Sequence, residues 1–167
     1  VTVYAKALDM ESPLGIAMQI GGASTDAALV VDGNSAEWVV FNVANRLRVM
    51  SAGSGATVAA EVVLPGIIRD IEIVSSGASI YALVAADDAG VAVVDITTPD
   101  APVLLHTTPV DYFQDGLTWT EGGGEILTDN EIAGTKATIT AIETDGTDVW
   151  IANLNYGIHR TSLANVL

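Results

Sequence analysis

The chain has 167 residues, half of them apolar, and carries six Lys plus Arg against 21 Asp plus Glu, a net charge of −15. That acidity repels phosphate backbones and anionic lipid and argues against a nucleic-acid partner, and the absence of cysteine excludes disulfides, thiolate nucleophiles and Cys-based zinc sites. The length suits one domain, 1–167, with its own core, and every window of about 18 residues contains polar or charged side chains, so no membrane span is expected.

Apolar residues fall in short runs rich in Val and Ile, punctuated by Gly, Asp-Gly, Pro and Ser-Gly, which is the pattern of strands. In chain order they are residues 1–8, 15–20, 27–31, 37–43, 46–50, 57–64, 68–74, 79–85, 90–96, 102–107, 116–120, 125–128, 137–144, 148–154 and 157–163. No long helical periodicity occurs, and the fold class expected is all-β. Val1 stands first, with no basic segment and apolar stretch ahead of the first strand, as after removal of a signal peptide; an engineered start would look the same.

The runs repeat as a unit. ASIYALVAADDAGVAVVDI (78–96) aligns with TDVWIANLNYGIHRTSL (147–163), Tyr81 on Trp150 and Gly90 on Gly157, and DAALVVDGNSAEWVVFNV (26–43) has the same strand, turn, strand order. A further strand precedes the second and third units, and Pro99 and Pro102, which cannot donate ladder hydrogen bonds, close the second before an outer strand. The order predicts a β-propeller-like array of antiparallel four-stranded blades at 14–64, 67–108 and 109–167. Equivalent points lie about 53 residues apart between the first two units and 67–69 between the last two, so insertions or a degenerate blade must fill residues 109–137. Because that unit stops at Asn165-Val166-Leu167, the array is expected either to be incomplete or to be closed by residues 1–8; a strand from a neighbouring molecule is the alternative.

SIYALVAADDAGVAVVDITTPDAPVLL (79–105) resembles the LVIVD repeat, a blade motif of bacterial and archaeal surface propellers, through Tyr81, Ala85, Asp87, Gly90, Val93, Val94, Asp95, Ile96, Pro99 and Pro102. The match is best over 67–108, partial over 138–163 and general over 14–64. The resemblance implies propeller architecture and an extracellular or cell-surface location, and it implies no particular activity.

Candidate chemistry is sparse. His106 and His159 stand alone in strands, and no acid is placed to orient His159 toward Ser162 as in a catalytic triad. Asp32, Asn34 and Glu37 in DGNSAE could offer oxygens to Ca2+, as could Asp111 with Asp115, or Asp129, Asn130 and Glu131; none completes an EF-hand loop, and Asp-Gly turns are first of all hairpin chemistry. Asp87 and Asp88 before Gly90 could face an acidic ligand mouth, or form a solvated hairpin. Asp95 is expected to bond amides near Thr97. Trp38, Trp119, Trp150 and Tyr81 read as packing residues, and GGGE (122–125), without a following Lys-Ser/Thr, is no phosphate loop. The expected function is a noncatalytic interaction or structural module that pairs with a protein partner or with itself through open strand edges, calcium being the one cofactor in view. The rival is a ligand- or metal-binding propeller, enzymatic or not, with an acidic mouth.

Overall fold

A computed structural model describes residues 2–4, 17–19, 24–52, 57–110, 138–154 and 156–167. The chain is all-β, as expected. A two-stranded ribbon joins β1 (Thr2–Tyr4) to β2 (Ala17–Gln19). The first main sheet is the antiparallel meander β3 (Ala27–Val31), β4 (Glu37–Val43), β5 (Arg46–Ser51) and β6 (Val58–Val63). The second is β7 (Asp70–Ser76), β8 (Ser79–Ala85), β9 (Val91–Asp95) and β10 (Val103–Thr108). The third has three strands, β11 (Ile139–Thr144), β12 (Asp148–Asn153) and β13 (Gly157–Ser162), before a one-turn helix α1 (Leu163–Val166).

The sheets stack, and the stacking explains the sequence pattern. The middle strands of the second sheet read SIYALVA and VAVVD, apolar almost without break, because both of its faces are covered. Ala82, Val84, Ala92 and Val94 meet Val30, Val40, Leu47 and Val49 of the first sheet. Leu83, Ala85, Val91 and Val93, one residue out of phase, meet Ile139, Ile142, Val149 and Ile151 of the third. By contrast β3 covers one face only and alternates, with Val30 at 3% exposure between Leu29 at 57% and Val31 at 53%. The first strands of the sheets lie side by side, β3 against β7 and β7 against β11.

Two glycines permit close approach: a Cβ on Gly66 would sit 1.9 Å from the carbonyl oxygen of Ala86, and one on Gly90 2.0 Å from that of Thr108. Gly90 and Gly157, aligned in sequence, both have positive φ, 103° and 84°.

The closure by residues 1–8 is not what the structure shows. Among the described residues of 1–8, Thr2–Tyr4 pair with Ala17–Gln19 and not with the third sheet. The third unit has three strands among the described residues, in line with its stopping at Asn165-Val166-Leu167. Leu163 and Val166, three apart on α1, turn instead onto the core shared with the second sheet, and Val166 accepts a hydrogen bond from His106 Nε2 at 2.9 Å. The chain after β13 therefore leaves the sheet rather than returning along it. The runs at 116–120 and 125–128 lie outside the described residues.

Candidate functional site: the inner-strand seam and the turn cleft

The inner strands carry acids that reach from sheet to sheet. Asp26, just before β3, accepts the Ile71 amide of β7 through Oδ2 at 2.8 Å, and Asp70 accepts the Ile142 amide of β11 through Oδ2 at 2.8 Å. Each also accepts the next amide of its own chain through Oδ1, Ala27 at 2.8 Å and Ile71 at 3.1 Å. One device is thus used twice, and it stops at the third sheet, where Ala141 precedes Ile142.

Asn42, 1% exposed at the end of β4, holds the start of this row. Its Oδ1 accepts the amides of Thr25 and Asp26 at 3.0 and 3.1 Å, and its Nδ2 donates to the Ile68 carbonyl at 3.1 Å. Asn153, at the end of β12, repeats part of this by accepting the Thr138 amide at 3.3 Å. Burial pushes the Asp70 carboxyl above its ordinary value, against the Ile142 amide, with Asp26 adding repulsion and a shared hydrogen bond in the same direction. Glu72 is raised as well, by burial and then by Glu143, Asp70 and Asp26.

The residues singled out in the sequence fall elsewhere. Asp32 Oδ1 accepts the amides of Asn34 and Ala36 at 2.8 and 2.9 Å, and Oδ2 accepts Trp38 Nε1 at 3.1 Å. The Ala36 amide is the main cause that holds this carboxyl below the usual range. Glu37 is exposed on β4, opposite Val31. Asp32, Asn34 and Trp38 line an open cleft of about 360 Å³ with Ile80, Thr97 and Asp100, between the β3–β4 hairpin and the turn after β9. Asp32 there is already engaged by three donors of its own hairpin. Among the described residues no three His, Asp or Glu side chains converge as a metal-ligand group.

Asp87 is drawn into the seam. Its carboxylate pairs with Arg69, Nε at 3.0 Å, and its carbonyl accepts the Ile139 amide of the third sheet at 3.0 Å. Its φ of 52° is the left-handed conformation that Asp tolerates. Asp88 is exposed in the same turn. The Asp87 carboxylate is thus held by Arg69, a contact the sequence reading did not include. Asp95 accepts the Thr97 amide at 2.8 Å, as expected. Trp38 and Tyr81 pack against the cores, and Trp150 lies under Arg160, 5.8 Å from ring centroid to guanidinium. Asp111, Asp115, Asp129, Asn130, Glu131 and Trp119 lie outside the described residues.

Sequence reasoning passed over Asp26, Asp70, Glu72 and Glu143. The signal was present as an acid opening the first strand of two units, TDAALVV and RDIEIV. None of these arrangements pairs a nucleophile with a base; their chemistry is to saturate backbone donors across sheet junctions. No helix among the described residues is long and apolar enough to cross a membrane. No protein-family model matches the chain, and no curated protein matches it in sequence.

Proposed function

We propose that the chain is a noncatalytic, cell-surface interaction module, built as successive propeller-like blades, that assembles with copies of itself through the outer edge of β13. The blade reading is supported by three meanders stacked face to face with their first strands adjoining. One observation carries the assembly: among the described residues the third sheet has three strands where its neighbours have four, and no described strand pairs with the outer edge of β13. The outer pairs β5–β6 and β9–β10 are each interrupted by a register shift, whereas β12–β13 runs unbroken from Asp148↔Ser162 to Asn153↔Gly157. Bulges blunt an edge, and a regular one invites pairing.

The pairing parity identifies the groups on offer. Leu163 donates to Thr147, so the opposed pairs 149/161 and 151/159 exchange hydrogen bonds, and Ile158, Arg160 and Ser162 turn their backbone groups outward. Ile158, paired with Ala152, is 65% exposed, and Leu154, just past the end of the preceding strand, is 71% exposed. The strand GIHRTS contains no carboxylate, so it is a place where two chains of charge −15 can approach. Two copies of β13 meeting antiparallel about a two-fold axis would make one six-stranded sheet.

Light scattering tests this. The expected native mass is a multiple of 17.2 kDa, falling to that of one chain in Ile158→Lys, because a charge added to an exposed apolar position of an edge strand disfavours strand addition. A wild type that stays monomeric up to millimolar concentration, or an Ile158→Lys variant of unchanged mass, overturns the proposal. Repeating the measurement with calcium and then a chelator shows whether the ion bridges the acidic copies.

A further inference from the structure

The acids on the inner strands do more than saturate amides. Asp26 and Asp70 converge on a single donor, the Ile71 amide, at 2.8 and 3.1 Å, so two carboxylates on neighbouring sheets lie against each other. Glu72 on β7 and Glu143 on β11 add further negative charge to the same row. The neighbouring cation in the chain, Arg69, is bound to Asp87 instead. Asp70 in turn holds the Ile142 amide, which makes it the link among all three sheets.

We propose that Asp26 and Asp70 form a proton-operated clasp that tightens the three-sheet seam in mildly acidic solution and slackens it at neutral pH. With one proton shared, Asp70 donates to Asp26 while its other oxygen keeps the Ile142 amide, and the pair carries one charge instead of two. Without that proton, two half-buried carboxylates repel across the junction, and Glu72 and Glu143 increase the repulsion. The sign follows from linkage. Burial raises the folded-state affinity of Asp70 for its proton, so between the ordinary carboxylate value and the raised one the folded chain binds more protons than the unfolded chain. Stability therefore falls as pH rises through that window, the reverse of a carboxylate held by a cation.

Asp70→Asn imitates the protonated clasp, since its amide oxygen can accept Ile142 and its NH2 can donate to Asp26. Asp70→Ala removes the acceptor altogether. Calorimetric melting of the full chain between pH 4 and pH 7.5 separates them, with Glu37→Gln, an exposed acid outside the row, as the control for net charge. The wild type and Glu37→Gln are expected to lose about 3 °C or more of Tm as pH rises from 4 to 7. Asp70→Asn is expected to flatten that slope and to match or exceed the wild type at pH 7, while Asp70→Ala melts lower at every pH. Carbon-13 titration of the carboxyls is expected to show Asp70 releasing its proton above the ordinary Asp range. An undiminished slope in Asp70→Asn, equal losses in Asp70→Asn and Asp70→Ala at pH 7, or an ordinary titration of Asp70 would overturn the clasp. Melting and titration read the seam within one chain, so they stand or fall independently of the assembly through β13.

Discussion

Gly90→Ala is expected to cost about 3 kcal/mol or more and to lower the urea midpoint accordingly, with the slope unchanged. Two causes act together. The backbone at Gly90 has φ +103°, where a side chain is strained. The added Cβ would also stand 2.0 Å from the Thr108 carbonyl oxygen and 2.8 Å from backbone atoms of Pro109 and Val110. Backbone cannot swing aside as the tip of a long side chain can, so the β8–β9 turn and the end of β10 must separate. That turn also carries Asp87, whose carbonyl joins the second sheet to the third, so part of the loss is expected in the packing of Ile139 and Ile142. Gly33→Ala is the contrast: nothing lies within 4 Å of its Cβ position, and a change within about 0.5 kcal/mol is expected. Equal midpoints for the two variants would contradict the close approach.

Asn42→Leu is expected to cost about 2–4 kcal/mol, although it preserves side-chain volume approximately and adds apolar surface at a buried site. The loss comes from the groups left behind. The amides of Thr25 and Asp26 and the carbonyl of Ile68 each lose a partner, and the replacement offers none. A buried donor without an acceptor costs more than the original bond contributed. Asn42 also positions Asp26, so the variant is expected to flatten the pH dependence of melting as well as to lower it. Loss of stability with the wild-type pH slope intact would mean that Asn42 acts on the core alone.

Where local chemistry decided the outcome, the sequence was legible. Ala27–Val31, Glu37–Val43 and Ser79–Ala85 are strands over the residues expected, because β-branched runs bounded by Gly and Asp turns leave few other choices. The bond from Asp95 to Thr97 spans two residues and was equally readable. The seam was not. Asp26 meets an amide 45 residues away and Asp70 one 72 residues away, so neither belongs to a local pattern. Asp87 looked like a solvated hairpin acid because its partner, Arg69, sits 18 residues upstream. Residues 1–8 alternate well enough to pair with any open edge, and alternation does not say which; Thr2–Tyr4 pair with Ala17–Gln19. The helix α1 rests on two apolar residues three apart, too short a stretch for periodicity to reveal.

The proposed assembly through β13, the outermost strand of the third sheet among the described residues, is tested most directly by residue-resolved hydrogen exchange as a function of protein concentration. The outward amides of Ile158, Arg160 and Ser162 are expected to exchange rapidly when the chain is dilute and to gain protection as concentration rises, while the inward amides of His159 and Thr161, bonded to β12, stay protected throughout. Outward amides that exchange rapidly at every concentration, or protection that grows on β6 or β10 instead, would contradict the account.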